Sequence, residues 1–167
     1  EAGEFLDVVF VGDDLATAES VIMSPKTYRD IIKPYHKEYF KNLKKLAPQA
    51  RLLYHSCGSI FSFIPDLIEV GVDILNPVQV SAQNMDTKVL KEKFGGELSF
   101  WGAIDTTRVL PRGTKKEVKE EVRKRIDDLG PEGYILTSVH DIQPDVPPEN
   151  VITMFEEARN YGVFLSH

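Results

Sequence analysis

Five short apolar runs, each separated from the next by a stretch with helical signals, constrain this chain more than any other feature. They lie at residues 7–11, 51–54, 73–75, 98–101 and 134–139. Each is brief and rich in β-branched or aromatic residues, as strands covered on both faces in a parallel sheet are. Gly3, Gly71, Gly96 and Gly133 precede four of them, where a helix must stop before the next strand begins. Strands that alternate with helices in this way fold as βα units around a parallel sheet.

The intervening stretches carry their own punctuation. Ser24-Pro25 reads as a cap with proline at the first helical position, opening a helix over 26–46 that Pro34 kinks or divides. Further helices are expected at 60–70, closed by Gly71, and at 86–94, stopped by Gly95-Gly96. Thr114 with Glu117 forms a capping box for a helix with Val118, Val122, Ile126 and Leu129 in one stripe. Pro147-Pro148-Glu149 starts the last helix, with Val151, Ile152, Phe155 and Ala158 expected inward and Gly162 at its end.

A chain of 167 residues that is 42% hydrophobic can bury one core, so it is one domain or part of one. Five units in this order suit a (β/α)8 TIM barrel, which needs about 250 residues. The expectation for residues 1–167 is therefore a partial TIM barrel: its C-terminal five βα units, with roughly three N-terminal units missing. A complete five-stranded doubly wound domain is the alternative, although no glycine-rich phosphate loop follows any strand. In the partial barrel Val9, Leu53, Ile74, Phe100 and Leu136 are expected to form an uncovered inner face, and the chain alone is expected to self-associate.

Polar residues collect at the carboxyl ends of these runs, where barrels and open α/β sheets place their sites. Gly12-Asp13-Asp14 ends the first, His55-Ser56-Cys57-Gly58 the second, Asn76-Pro77-Val78-Gln79 the third, and Val139-His140-Asp141 the fifth. Residues i and i+2 of a strand share a face, so His55 and Cys57 project together as a metal-ligand pair or as a thiol beside an imidazole. The plainer reading is a small buried cysteine near a histidine that bonds a carbonyl. Asp13, Asp14 and Asp105 stand at the same level as candidate catalytic acids, or serve only as loop and cap residues. Trp101, Phe61 and Phe63 read as core or pocket wall.

Net charge −6 opposes a nucleic-acid surface, and Lys41-Asn42-Leu43-Lys44-Lys45 and Lys115-Lys116 read as solvated helix faces. The longest apolar stretches are too short to span a bilayer. The lone cysteine rules out an internal disulfide, and Glu1-Ala2-Gly3-Glu4 is not an apolar signal segment, so a cytoplasmic location is expected.

The segments His55-Ser56-Cys57-Gly58, Asp73-Ile74-Leu75-Asn76-Pro77-Val78-Gln79 and His140-Asp141-Ile142-Gln143-Pro144-Asp145-Val146-Pro147-Pro148-Glu149-Asn150 together resemble the C-terminal two thirds of the uroporphyrinogen decarboxylase superfamily. That resemblance implies a (β/α)8 fold and one of two chemistries. One branch holds metal-free porphyrinogen decarboxylases, and the other holds zinc-dependent methyltransferases that exchange methyl groups between a corrinoid protein and a thiol or another acceptor.

His-x-Cys marks the methyltransferase branch, and His55 and Cys57 match it as they stand. His140 falls where that branch has a further cysteine, so the implied zinc set is His55, Cys57 and His140 with an open fourth position. Gln79 falls near an occasional carboxylate ligand of the family; Gln79 and Asn76 are the expected substrate-binding residues, and Asp13, Asp14 and Asp105 the groups for substrate positioning or proton handling. The implied partners are a methyl-corrinoid protein and a small thiol or methoxy compound, with the direction of transfer open. The alternatives are a metal-free carboxy-lyase of porphyrin biosynthesis and a noncatalytic barrel that only docks a corrinoid protein.

Overall fold

The computed structural model describes residues 3–162. Its five strands are β1 (Val8–Gly12), β2 (Arg51–His55), β3 (Ile74–Asn76), β4 (Ser99–Ile104) and β5 (Tyr134–Ser138). All four pairings are parallel and the spatial order is β1-β2-β3-β4-β5. A doubly wound sheet reverses its strand order at a switch point, and this order never reverses. Right-handed crossovers in one direction put every helix on the same face, which curls the sheet into an arc of a TIM barrel.

The connecting helices are α1 (Pro25–Thr27), α2 (Lys33–Leu46), α3 (Ile64–Glu69), α4 (Thr87–Phe94), α5 (Val109–Arg112), α6 (Lys115–Leu129) and α7 (Pro148–Gly162). The expected helix over 26–46 is divided rather than continuous: α1 passes into a π-helical turn, Tyr28–Ile32, before α2. Pro34 has no N–H to give to a carbonyl one α-turn back, and Lys33 N–H bonds the Tyr28 carbonyl across the wider turn. The Ser24 side chain accepts from Thr27 N–H, and Thr114 and Glu117 form the reciprocal capping box of α6.

Two corrections concern side-chain direction. Val9, Leu52, Tyr54, Leu75 and Phe100 pack into one core with Tyr28, Phe40, Ile64 and Leu67, while Leu136 joins a second with Val118, Val122 and Met154. Val9, Phe100 and Leu136 therefore face the helices. The register aligns Phe10 with Leu53, Leu53 with Ile74, and Trp101 with Ile135, and these residues form the concave face. A one-residue slip in phase exchanges the faces, and apolar runs on both faces give the sequence no alternation to fix it.

The second correction concerns α7. Ile152 and Phe155 are each 56% exposed, and the buried positions are Asn150, Thr153, Met154 and Glu157. The seam is polar but satisfied. Asn150 donates to the Leu110 and Gly113 carbonyls, and the Glu157 carboxylate pairs with Lys119 and Arg123 of α6. Among the described residues no helix is long and apolar enough to cross a membrane.

Asp66 of α3 ties that helix to the first crossover. Its buried carboxylate takes Arg29 Nε at 2.9 Å and Lys33 Nζ at 2.8 Å. Burial pushes its pKa up, but the two cations outweigh burial and hold it below the usual carboxylate value. This contribution is complete above the unfolded-state carboxylate pKa of about 3.9 and is lost as pH falls through the lower native value. Asp66→Asn should cost about 2 kcal/mol at pH 7. Thermal melts should show the gap from wild type closing below about pH 4; a gap of constant size down to pH 2 would assign the loss to packing instead.

β1 and β5 are the edges of the sheet, and the concave face exposes Phe10 by 65% and Ile135 by 40%. An apolar edge of this kind templates association. Sedimentation of the 167-residue chain should show oligomers that Phe10→Lys with Ile135→Lys dissociates; a wild-type monomer at all concentrations contradicts this.

Candidate metal centre

The site is built where β1, β2 and β3 end. His55 closes β2 on the concave face, aligned with Gly12 of β1 and Asn76 of β3. Gly12 leaves it room, since a Cβ there would stand 2.8 Å from His55 Cβ. Cys57 lies two residues beyond the strand, and Gly58 turns the chain at φ +87°, with Thr17 O only 2.3 Å from where a Cβ would sit. Any side chain at position 58 would displace the cysteine loop.

Hydrogen bonds stitch the loops together. Asp13 N–H donates to the His55 carbonyl, Leu15 N–H to Ser56 Oγ, and Ser56 N–H to the Asn76 carbonyl. Asp14 Oδ1 accepts from Cys57 N–H at 2.8 Å, and Gln79 Oε1 accepts from Gly58 N–H at 2.8 Å. The backbone on both sides of the thiol is therefore fixed by side chains from neighbouring strands.

Cys57 Sγ lies 3.4 Å from His55 Nε2 and 3.8 Å from His140 Nδ1. Bond lengths of about 2.3 Å to sulfur and 2.0–2.1 Å to nitrogen in a tetrahedron separate two such donors by about 3.6 Å. The group whose ligand atoms all lie within 4.8 Å of one another is Asp14, His55 and Cys57; His140, expected as the third ligand, approaches it through Cys57 alone. Imidazole nitrogens, a thiol and a neighbouring carboxylate are the donor types zinc takes, so the residues fit that ion.

Asn76 decides which imidazole nitrogen is free. Its Nδ2 donates to the Trp101 carbonyl at 3.3 Å, which turns Oδ1 toward His55 Nδ1 at 2.7 Å. A carbonyl oxygen only accepts, so His55 carries its proton on Nδ1 and presents the Nε2 lone pair to the cysteine side. The Cys57 thiol is pushed up to about 11, first by burial and then by the Asp14 carboxylate. A nucleophilic cysteine is pushed down by its surroundings, whereas this one needs a cation to ionise at neutral pH.

The other expected site residues fall in different places. Asn76 and Gln79, expected to bind substrate, spend their polar atoms on His55, the Trp101 carbonyl and Gly58 N–H. Asp105 lies outside the cluster: its carboxylate accepts from Thr107 N–H and Oγ1 and from Val109 N–H, capping the turn into α5. Asp13 turns from the cluster toward His36 Nε2, 3.3 Å away. Phe10, Thr137 and Gln143 were not foreseen; with His55, Asn76, His140 and Asp141 they line a cleft of about 490 Å³. Only the concave register of Phe10 and Thr137 could have identified them.

The uroporphyrinogen decarboxylase (URO-D) family model matches residues 6–161. A uroporphyrinogen decarboxylase of Danio rerio is 32% identical over 78 residues, 47% of this chain and 21% of that protein. A methylated-thiol–coenzyme M methyltransferase of Methanosarcina mazei is 25% identical over 119 residues, 71% of this chain and 29% of its own length. A uroporphyrinogen decarboxylase of Legionella pneumophila is 28% identical over 137 residues, 81% and 37% of the two chains. This chain thus spans less than two fifths of these curated relatives. The solved structure of a methyltransferase from Methanosarcina mazei superposes with a TM-score of 0.72 at 20% identity, covering 93% of this chain and 42% of that one. Parallel βα units in sequential order, a site at their carboxyl ends and a family match over nearly the whole length agree: the chain belongs to the uroporphyrinogen decarboxylase family.

Proposed function

We propose that this chain is the C-terminal part of a zinc-dependent methyltransferase that moves a methyl group between a corrinoid protein and a thiol or methoxy compound. The observation that carries this reading is Cys57 Sγ flanked by His55 Nε2 at 3.4 Å and His140 Nδ1 at 3.8 Å, at the separation of tetrahedral zinc ligands. His55, Cys57 and His140 would hold the ion. When bound, zinc keeps a coordinated thiol ionised near neutral pH and still nucleophilic, or polarises an ether oxygen.

The chain's own residues prepare that site. Asn76 holds His55 in the tautomer whose Nε2 can ligate, and Asp14 and Gln79 pin the backbone at Cys57 and Gly58. Asp14 brings a carboxylate within ligand range of His55 and Cys57, and the cleft walled by Phe10 and Thr137 beside His55 and His140 offers space for a substrate. A cytoplasmic location suits a free thiol used in this way.

Metal analysis of the full-length protein tests the reading. We expect about one zinc per chain, and Cys57→Ala should lose both the zinc and methyl transfer from methylcobalamin to a small thiol. Decarboxylases among the relatives favour a second reading. Zinc-free protein that decarboxylates a porphyrinogen as fast as the isolated enzyme would establish that reading instead.

Asn76 gives a finer prediction. Asn76→Ala frees the His55 ring and should weaken zinc about 10–100-fold in chelator competition. Asn76→Asp, which retains an acceptor for Nδ1, should hold zinc near the wild-type level; equal affinity in all three proteins would show that His55 does not need its partner.

A further inference from the structure

The implied ligand set takes its third donor from the end of β5, whereas the compact group at the mouth takes it from the loop after β1. Asp14, His55 and Cys57 each place a ligand atom within 4.8 Å of the other two. His140 meets this group at Cys57 Sγ, 3.8 Å away, and lines the cleft with Phe10, Asn76 and Thr137. His140 is thus a cleft wall that touches the group at one atom, and Asp14 is part of the group itself.

The loop that carries Asp14 is fixed from the interior of the sheet. Although β1 is an edge strand, Asp13 N–H bonds the His55 carbonyl and Leu15 N–H bonds Ser56 Oγ. Further along, Ser59 N–H bonds the Thr17 carbonyl and Gln83 N–H the Ala18 carbonyl. Leu15 and Ala16 are buried in the core. The loops after β2 and β3 therefore decide where the carboxylate stands.

A carboxylate is more than the brace at Cys57 requires. Ser56 Oγ, a neutral oxygen, makes the reciprocal bond to Leu15 N–H across the same gap, and an amide oxygen at position 14 could likewise accept from Cys57 N–H. That bond uses one of about four lone-pair sites on the carboxylate, so Asp14 can serve the amide and a cation together. Among the described residues no lysine or arginine pairs with Asp14, while Asp66, Asp73, Asp128 and Glu157 each have such a partner. One carboxylate and one thiolate match the two charges of a divalent ion.

We propose that Asp14 is itself a ligand of the metal ion at this centre, joining His55 and Cys57, with His140 as the outlying fourth donor. This rests on the zinc reading of the site and is independent of which methyl acceptor is used. It fills the position that the set of His55, Cys57 and His140 leaves open. A substrate in the cleft would then add to four protein donors, a five-coordinate arrangement that zinc sites reach.

The test uses the full-length protein and reads the bound metal rather than turnover. Asp14→Asn keeps an oxygen for Cys57 N–H but removes the anionic donor, and should weaken zinc by about 100-fold or more in chelator competition, beyond what loss of a merely orienting group costs. Thermal melts of the metal-free wild type and variant should coincide, which separates a lost ligand from a lost fold. Asp14→Cys puts a thiolate at the same place. X-ray absorption of its zinc form should count one sulfur neighbour more than wild type, at about 2.3 Å. Wild-type zinc affinity in Asp14→Asn, or an unchanged sulfur count in Asp14→Cys, overturns the assignment of Asp14 and leaves the centre to His55, Cys57 and His140. A wild-type protein that holds neither zinc nor cobalt(II) overturns the zinc reading itself, and the role of Asp14 with it.

Discussion

The hydrogen bond from Cys57 N–H to the Asp14 carboxylate joins two loops that share no strand, and the geometry of the mouth depends on it. β1 and β2 end at the same level, so the loops that follow leave together and must be held apart or together by side chains. Asp14 holds them together, while Ser56 takes Leu15 N–H from the opposite direction. The result is a cysteine whose backbone cannot swing, on a turn that Gly58 alone can make without striking Thr17. A ligand displaced by about 1 Å loses a tetrahedral site, so this bracing sets the separation from His55 as much as the strand does.

The same carboxylate sets the electrostatics. It stands beside a half-buried thiol and raises its pKa, as burial does, so the pocket disfavours negative charge on sulfur. With Asp141 lining the adjoining cleft, the cluster is short of positive charge in a chain whose net charge is already −6. A divalent cation held there would relieve both effects at once, ionising the thiol and neutralising the acid beside it.

Much of this was legible from residue types. Short apolar runs, four of them preceded by glycine, placed all five strands to within a few residues, since a helix stop and a buried strand each leave a local signature. The capping box at Thr114 and the proline break at Pro34 are likewise set by neighbours in sequence. His55 with Cys57 stood out because a two-residue period needs no tertiary information. What failed was whatever depends on a partner far along the chain. The facing of Val9, Phe100 and Leu136 is decided by which side the crossovers cover, and apolar residues on both faces conceal it. On α7, Ile152 and Phe155 read as core because they are apolar, yet Asn150 and Glu157 occupy the seam because α5 and α6 offer them carbonyls and cations.

Asn76, Gln79 and Asp105, expected to act on substrate, are engaged in the hydrogen bonding of the site's own loops. A polar side chain at the end of a strand reads as a group for substrate, but every strand end in a barrel also carries a loop whose N–H groups and ring nitrogens need partners. Asp105 settles its own turn, Gln79 settles the turn at Gly58, and Asn76 aims an imidazole. Under the proposed reading, the residues left to act on a ligand are His55 through Nε2, Cys57 through Sγ and His140. A site of this kind is built mostly from residues that never touch its substrate, and the ratio follows from the parallel sheet: strands end in register, loops crowd, and each ligand needs a brace from the next strand.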